Sequence, residues 1–167
     1  MLRTLALTLA LATPSAAFEF EALEGGVHDL DAWRGRAVLV VNTASLCAFT
    51  DQYAGLQTLQ DRYGDRGLTV LAVPSDSFAQ ELEDEDAVAE FCEVSYGLTL
   101  PMTTITPVTG PDAHPFYGWL AEQGAVPRWN FSKALLDPEG TLVTFEGSHV
   151  APLGRRMIRA IEAVLPE

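Results

Sequence analysis

The chain has 167 residues, 48% of them hydrophobic, and carries 23 acidic against 10 basic side chains for a formal net charge of −13. That length accommodates one compact domain with a substantial core. The acidity argues against nucleic acid, which needs a basic patch, and against anionic membranes; it suits solubility and the selection of a basic protein partner.

The first segment, "MLRTLALTLALATPSAA", has one basic residue (Arg3), a short apolar run and small residues at Ser15, Ala16 and Ala17. This is the layout of a secretory signal peptide cleaved after Ala17, and the apolar run is too short to span a bilayer. The expected organisation is therefore a signal peptide over 1–17 and one domain over 18–167, exported across the inner membrane to the periplasm.

Next, "GGVHDLDAWRGR" reads as a short hairpin or turn region. It leads into Ala37–Asn42, apolar on both faces as a central strand between helices must be. From Thr50 the period changes: Tyr53, Leu56, Leu59 and Tyr63 recur at helical spacing, and Gly64 and Gly67 flank the stop. Thr50 and Asp51 offer N-cap side chains. Leu68–Val73 is a second buried strand ended by Pro74. After it comes an acidic loop, "SDSFAQELEDEDA", then a helix with Val88, Phe91, Cys92 and Ser95 on one face. Two β-α steps with short connections predict a parallel pair with a right-handed crossover.

In the second half, "HPFYGWLAEQG" predicts a helix closed by Gly124. Ser132–Leu136 and Thr141–Phe145 straddle the turn sequence "DPEG" and predict an antiparallel hairpin. Leu153–Leu165 predicts a terminal amphipathic helix. A βαβ unit, a hairpin and a last helix make up the thioredoxin-like α/β arrangement, a central mixed sheet flanked by helices in a single domain.

Chemistry-bearing residues are few. The two cysteines, Cys47 and Cys92, form no CxxC. His28, His114 and His149 are scattered beside turn or loop residues, so neither a metal site nor a cofactor is expected. Cys47 stands where a buried strand gives way to a helix. There, free helix N–H groups favour the thiolate, and parallel α/β sheets bind ligands outside the carboxyl ends of their strands. Position alone leaves two readings open: a nucleophile, or a small buried apolar residue.

"VLVVNTASLCAFTDQYAGLQTL" resembles the active-site segment of the glutathione peroxidase family in its cysteine-containing form. "LTVLAVPSDSFAQE", "AEFCEVSYGLTLPM", "HPFYGWLAE" and "PRWNFSKALLDPEG" resemble further segments of that family, in order. The resemblance implies a thioredoxin-like fold and a thiol peroxidase that reduces hydrogen peroxide and organic or lipid hydroperoxides in the response to oxidative stress. It makes Cys47 the peroxidatic nucleophile, with Gln80, Trp129 and Asn130 completing the catalytic tetrad. Amide and indole N–H groups can donate to sulfur or oxygen without titrating. Cys92 falls where thioredoxin-dependent members place a resolving cysteine, which implies a thioredoxin-like reductant, with glutathione as the other candidate. The oxidised Cys47 would be a sulfenic acid.

Departures from the family pattern are local. Its Lys before the nucleophile and Gly after it are here Leu46 and Ala48. Its "NQFGGQEP" corresponds to "DSFAQEL", one residue shorter and more acidic, with Asp76 for Asn and Leu82 for Pro. Only "AEQGAVPR" separates Leu120 from Trp129. The long insertions that build tetramers in animal members are missing there, so a monomer with an open site is expected. A reading from a different class is a non-catalytic thioredoxin-fold interaction module stapled by a Cys47–Cys92 disulfide.

Overall fold

The computed structural model describes residues 18–165. The expected signal peptide, 1–17, lies outside the described residues. Strands β1 (Glu19–Glu21) and β2 (Val27–Asp29) form a small antiparallel hairpin. Gly25 and Gly26 turn it with φ of 91° and 87°, values an L side chain rarely adopts. The hairpin thus begins earlier than "GGVHDLDAWRGR" suggested, and that segment supplies only its turn and second strand.

The main sheet has four strands in the order β4-β3-β5-β6. β3 (Ala37–Thr43) runs parallel to β4 (Leu68–Pro74) and antiparallel to β5 (Lys133–Leu136), which pairs antiparallel with β6 (Leu142–Glu146). The sheet is mixed, as expected. Every residue of β3 and β4 is buried, because helices cover both faces.

Alternation along β3 sorts its side chains. Ala37, Leu39 and Val41 enter a core built with helices α1 (Gln52–Tyr63), α2 (Glu85–Tyr96) and α4 (Arg155–Val164). Val38 and Val40 enter a second core with α3 (Pro115–Glu122) and the N-terminal hairpin, through Phe116, Tyr117, Leu120, Phe18 and Phe20. In α1 the expected stripe Tyr53, Leu56, Leu59 and Tyr63 is fully buried. Each leucine there contributes roughly 1.5–3 kcal/mol by leaving water. The helix passes into a 3-10 turn at Gly64–Arg66 and stops at Gly67, φ 93°.

Three local expectations are corrected. Asp51 sits at the N-cap of α1 but its side chain accepts no capping hydrogen bond, and Thr50 still belongs to the preceding turn. Ser95 is exposed; Val88, Cys92 and the half-buried Phe91 face the core as expected, and the half-buried Tyr96 joins them in the place given to Ser95. Part of the acidic loop is the helix itself. Asp84 caps α2 by accepting from the Ala87 N–H at 2.8 Å, and Glu85 and Asp86 occupy its first turn. Acids there interact favourably with the helix dipole, so they support the N-terminus of α2.

Candidate active site

The carboxyl end of β3 meets three loops: the Cys47 turn, the 75–84 segment after β4, and the 123–132 segment before β5. Asn42, near the end of β3, staples the last of these. Its Nδ2 donates to the Trp129 carbonyl at 3.2 Å and its Oδ1 accepts from the Ser132 N–H at 3.1 Å. Its own carbonyl accepts from Phe131 N–H at 2.6 Å. This grip holds Phe131 at φ 61°, a left-handed conformation costly for a bulky residue. The buried Lys133 donates from Nζ to the Phe131 carbonyl at 2.6 Å; desolvation lowers its ammonium to about 8, partly countered by Glu146. The turn therefore presents Trp129 and Asn130 in a fixed relation.

Asn130 is fully buried. Its Nδ2 donates to Gln80 Oε1 at 3.1 Å, its carbonyl accepts from the Ser148 hydroxyl at 2.6 Å, and its Oδ1 has no hydrogen-bond partner. Trp129 is 41% exposed, with its ring centroid 5.4 Å from that of Phe78. Its indole is partly open to solvent rather than sealed in a core.

Cys47 is buried and stands five residues before the first residue of α1. Successive turns fill the gap, Thr50 N–H donating to the Cys47 carbonyl and Gln52 N–H to the Phe49 carbonyl. The two N–H groups just before it are both held: Leu46 N–H donates to the Gln80 carbonyl at 2.9 Å, and Ser45 N–H to Glu81 Oε1 at 2.9 Å. Gln80 thus joins Asn130, through its side-chain oxygen, to the turn just before Cys47, through its backbone carbonyl. Beside Trp129 opens a pocket of about 370 Å³, walled by Val126 and Phe145 and rimmed by Arg128 and His149. The His149 ring packs against Phe49, two residues past Cys47.

Cys92 lies apart from that constellation, facing inward from α2 and 1% exposed. Burial pushes its thiol up to about 11, with the Glu81 charge adding and the Tyr53 hydroxyl opposing. It also borders an open pocket of about 710 Å³ shared with Leu23, Leu98, Leu100 and Met102. Both cysteines are free thiols, so no staple joins them. Among the described residues, no group of three or more His, Cys, Asp or Glu is arranged to hold a metal ion.

A sequence profile described as glutathione peroxidase matches residues 16–121. The chain belongs to the glutathione peroxidase family. It is 42% identical over 147 residues to "Hydroperoxy fatty acid reductase gpx1" of Synechocystis, covering 81% of this chain and 87% of that one. It is 37% identical over 134 residues to a glutathione peroxidase of Lactococcus lactis, covering 75% and 85%. Among solved structures, T. cruzi GPX1 superposes with a TM-score of 0.66 at 25% identity, over 88% of this chain and 93% of that one. A thiol:disulfide interchange protein of Chlorobium tepidum, at 16% identity, shares the fold with a TM-score of 0.68 over 95% and 100%. Family membership and fold make the protein a thiol peroxidase with a thioredoxin-like architecture, acting on a hydroperoxide at the expense of a thiol reductant.

Asn42 and Glu81 were not singled out in the sequence. Asn42 ends an apolar strand run where a polar residue has no packing reason to be. Glu81 was hidden among the acids that follow it.

Proposed function

We propose that Cys47 is the peroxidatic nucleophile, that Gln80, Trp129 and Asn130 stabilise the departing oxygen, and that Cys92 resolves the oxidised form. The Cys47 thiolate attacks one peroxide oxygen; the O–O bond breaks, Cys47 becomes a sulfenic acid, and the departing alkoxide or hydroxide takes a proton. The Cys92 thiol then attacks the sulfenic sulfur, water leaves, and a Cys47–Cys92 disulfide remains for a dithiol protein to reduce. The observation that carries this reading is the pair of hydrogen bonds converging on Gln80, one from the Leu46 N–H and one from Asn130. Neutral amide donors held in place act where charge develops on a departing oxygen.

Cys92 is buried while α2 is intact, so resolution requires local opening of that helix. The named activity of the Synechocystis relative, together with the apolar pocket beside Trp129, favours fatty acid and other bulky hydroperoxides. A thioredoxin-like protein is the favoured reductant over glutathione, because the 121–128 connection is short and leaves the site open. The same shortness favours a monomer. Export to the periplasm rests on the 1–17 segment.

The test is NADPH-coupled peroxide reduction with a thioredoxin or a glutathione system, on wild type, Cys47→Ser and Cys92→Ser. Loss of activity in Cys47→Ser, and loss of thioredoxin-dependent turnover in Cys92→Ser, is the expected result. Full thioredoxin-dependent turnover in Cys92→Ser removes the resolving role. Unchanged turnover in Cys47→Ser removes the nucleophile.

A further inference from the structure

We propose that Glu81 is a positioning residue of the peroxide reaction, fixing the Cys47 turn against Gln80; the role rests on the reading of Cys47 and Gln80 above. Glu81 is 8% exposed, and no cation lies in ion-pair contact with it among the described residues. Burying a carboxylate without a counter-charge is costly, and an amide or an apolar side chain of similar volume would avoid that cost. The carboxylate oxygens are used unequally. Oε1 accepts from both Ser45 N–H and Leu82 N–H, each at 2.9 Å, while Oε2 is buried without a hydrogen-bond partner. The Glu81 backbone is itself anchored, its N–H donating to Asp76 Oδ1 at 3.2 Å.

The consequence lies in the register. Consecutive N–H groups at Ser45 and Leu46 are held by consecutive residues, Glu81 through its side chain and Gln80 through its carbonyl. One bond alone leaves the turn free to pivot; two adjacent bonds fix both the place and the direction of the next residue, Cys47. Without the Glu81 acceptor the Ser45 N–H is a buried orphan, and the turn pivots on the single bond to Gln80. A displacement near 1 Å between thiol and donor costs up to about a hundredfold in rate.

The experiment is stopped-flow oxidation of the reduced, full-chain protein by hydrogen peroxide, with thermal melts run alongside. Glu81→Met, of similar length without an acceptor, and Glu81→Ala should both lower the second-order rate constant by about ten- to a hundredfold. Glu81→Gln, whose Oε1 still accepts from both N–H groups, should retain the rate within about threefold. Because Glu81 acts in part through the placement of Cys47 against Gln80, the Gln80→Ala/Glu81→Met double variant should lose clearly less than the product of the two single losses. A Glu81→Met rate within threefold of wild type overturns the role. So does a Glu81→Gln rate as low as that of Glu81→Met, or a double variant whose losses multiply. A wild-type protein that does not react with peroxide at Cys47 overturns the nucleophile reading and this role together; a reactive wild type with an unaffected Glu81→Met overturns this role alone.

Discussion

The side-chain amide of Asn130 donates to the Gln80 amide oxygen over 3.1 Å, joining two loops fifty residues apart in the chain. Each amide thereby fixes the rotamer of the other. In that pairing the Gln80 oxygen is occupied as an acceptor, which leaves the Gln80 NH₂ as the group free to donate toward a reacting oxygen. Asn130→Ala removes a donor and also releases Gln80. The expected loss in peroxide turnover is about 10²- to 10³-fold, as for a preorganised donor to a developing anion. Gln80→Ala should lose a similar factor, and the double variant should lose much less than the product of the two. A full product would mean that the two amides act independently.

Ala79 supplies a stability test of the loop that carries Gln80. It adopts φ 54°, a conformation that costs a non-glycine residue about 1–2 kcal/mol. Ala79→Gly relieves that strain but loosens the unfolded chain, so the net gain should be about 0.5–1 kcal/mol in urea unfolding at unchanged m-value. A loss of stability would mean the surrounding loop favours the alanine for its contacts.

Cys92 should be nearly silent to alkylation in the folded, reduced protein. A thiol pushed to about 11 holds about a hundredfold less thiolate near neutral pH than one at its ordinary 9.0, and this one is also 1% exposed. Labelling with iodoacetamide followed by peptide mass spectrometry should find Cys92 modified only slowly in buffer and rapidly in urea. A short peroxide pulse given first should remove it from the alkylatable pool by forming the disulfide. Equal labelling of Cys92 in buffer and in urea would show that α2 opens freely without oxidation.

Much of this architecture was legible in the sequence because single-residue periodicities carry it. The runs 37–42 and 68–73 are apolar on both faces, and only a strand covered twice needs that. Tyr53, Leu56, Leu59 and Tyr63 repeat at the period of a helix with one buried face. Gln80, Trp129 and Asn130 were legible only through resemblance, since an amide in a polar loop and an Asn before a strand look ordinary by themselves. What brings them together is a set of long-range bonds from Asn42, Ser45 and Ser148, and no local pattern encodes those. Spacing alone puts Ser95 on the inner face of α2, but i, i+3 and i, i+4 neighbours compete there, and the aromatic Tyr96 takes the packing position. The acids at 84–86 looked like loop because their charge is polar by composition, while their helical value depends on where the helix begins.

Glu81 gives the last test, on stability rather than rate. Burial raises its carboxyl above the ordinary 4.5 and Asp76 adds repulsion, while the Ser45 and Leu82 hydrogen bonds oppose the shift without cancelling it. Tyr53 of α1 and Cys92 of α2, which feel the Glu81 charge, are neutral in their ordinary state, and burial together with that charge drives both further toward it. The sign follows. An acid whose value is raised by folding favours the folded state most when protonated, so its contribution is fully present below about 4.5 and is lost as pH rises through the folded value. Glu81→Gln carries no such titration. The melting temperature of wild type minus that of Glu81→Gln should therefore fall as pH is raised from about 4 to 8, through the range set by the ordinary carboxyl value and its upward shift. Differential scanning calorimetry of the two proteins over that range reads it directly. A flat difference would mean that the hydrogen bonds to Ser45 and Leu82 cancel the cost of burying the charge, and one that grows with pH that they outweigh it.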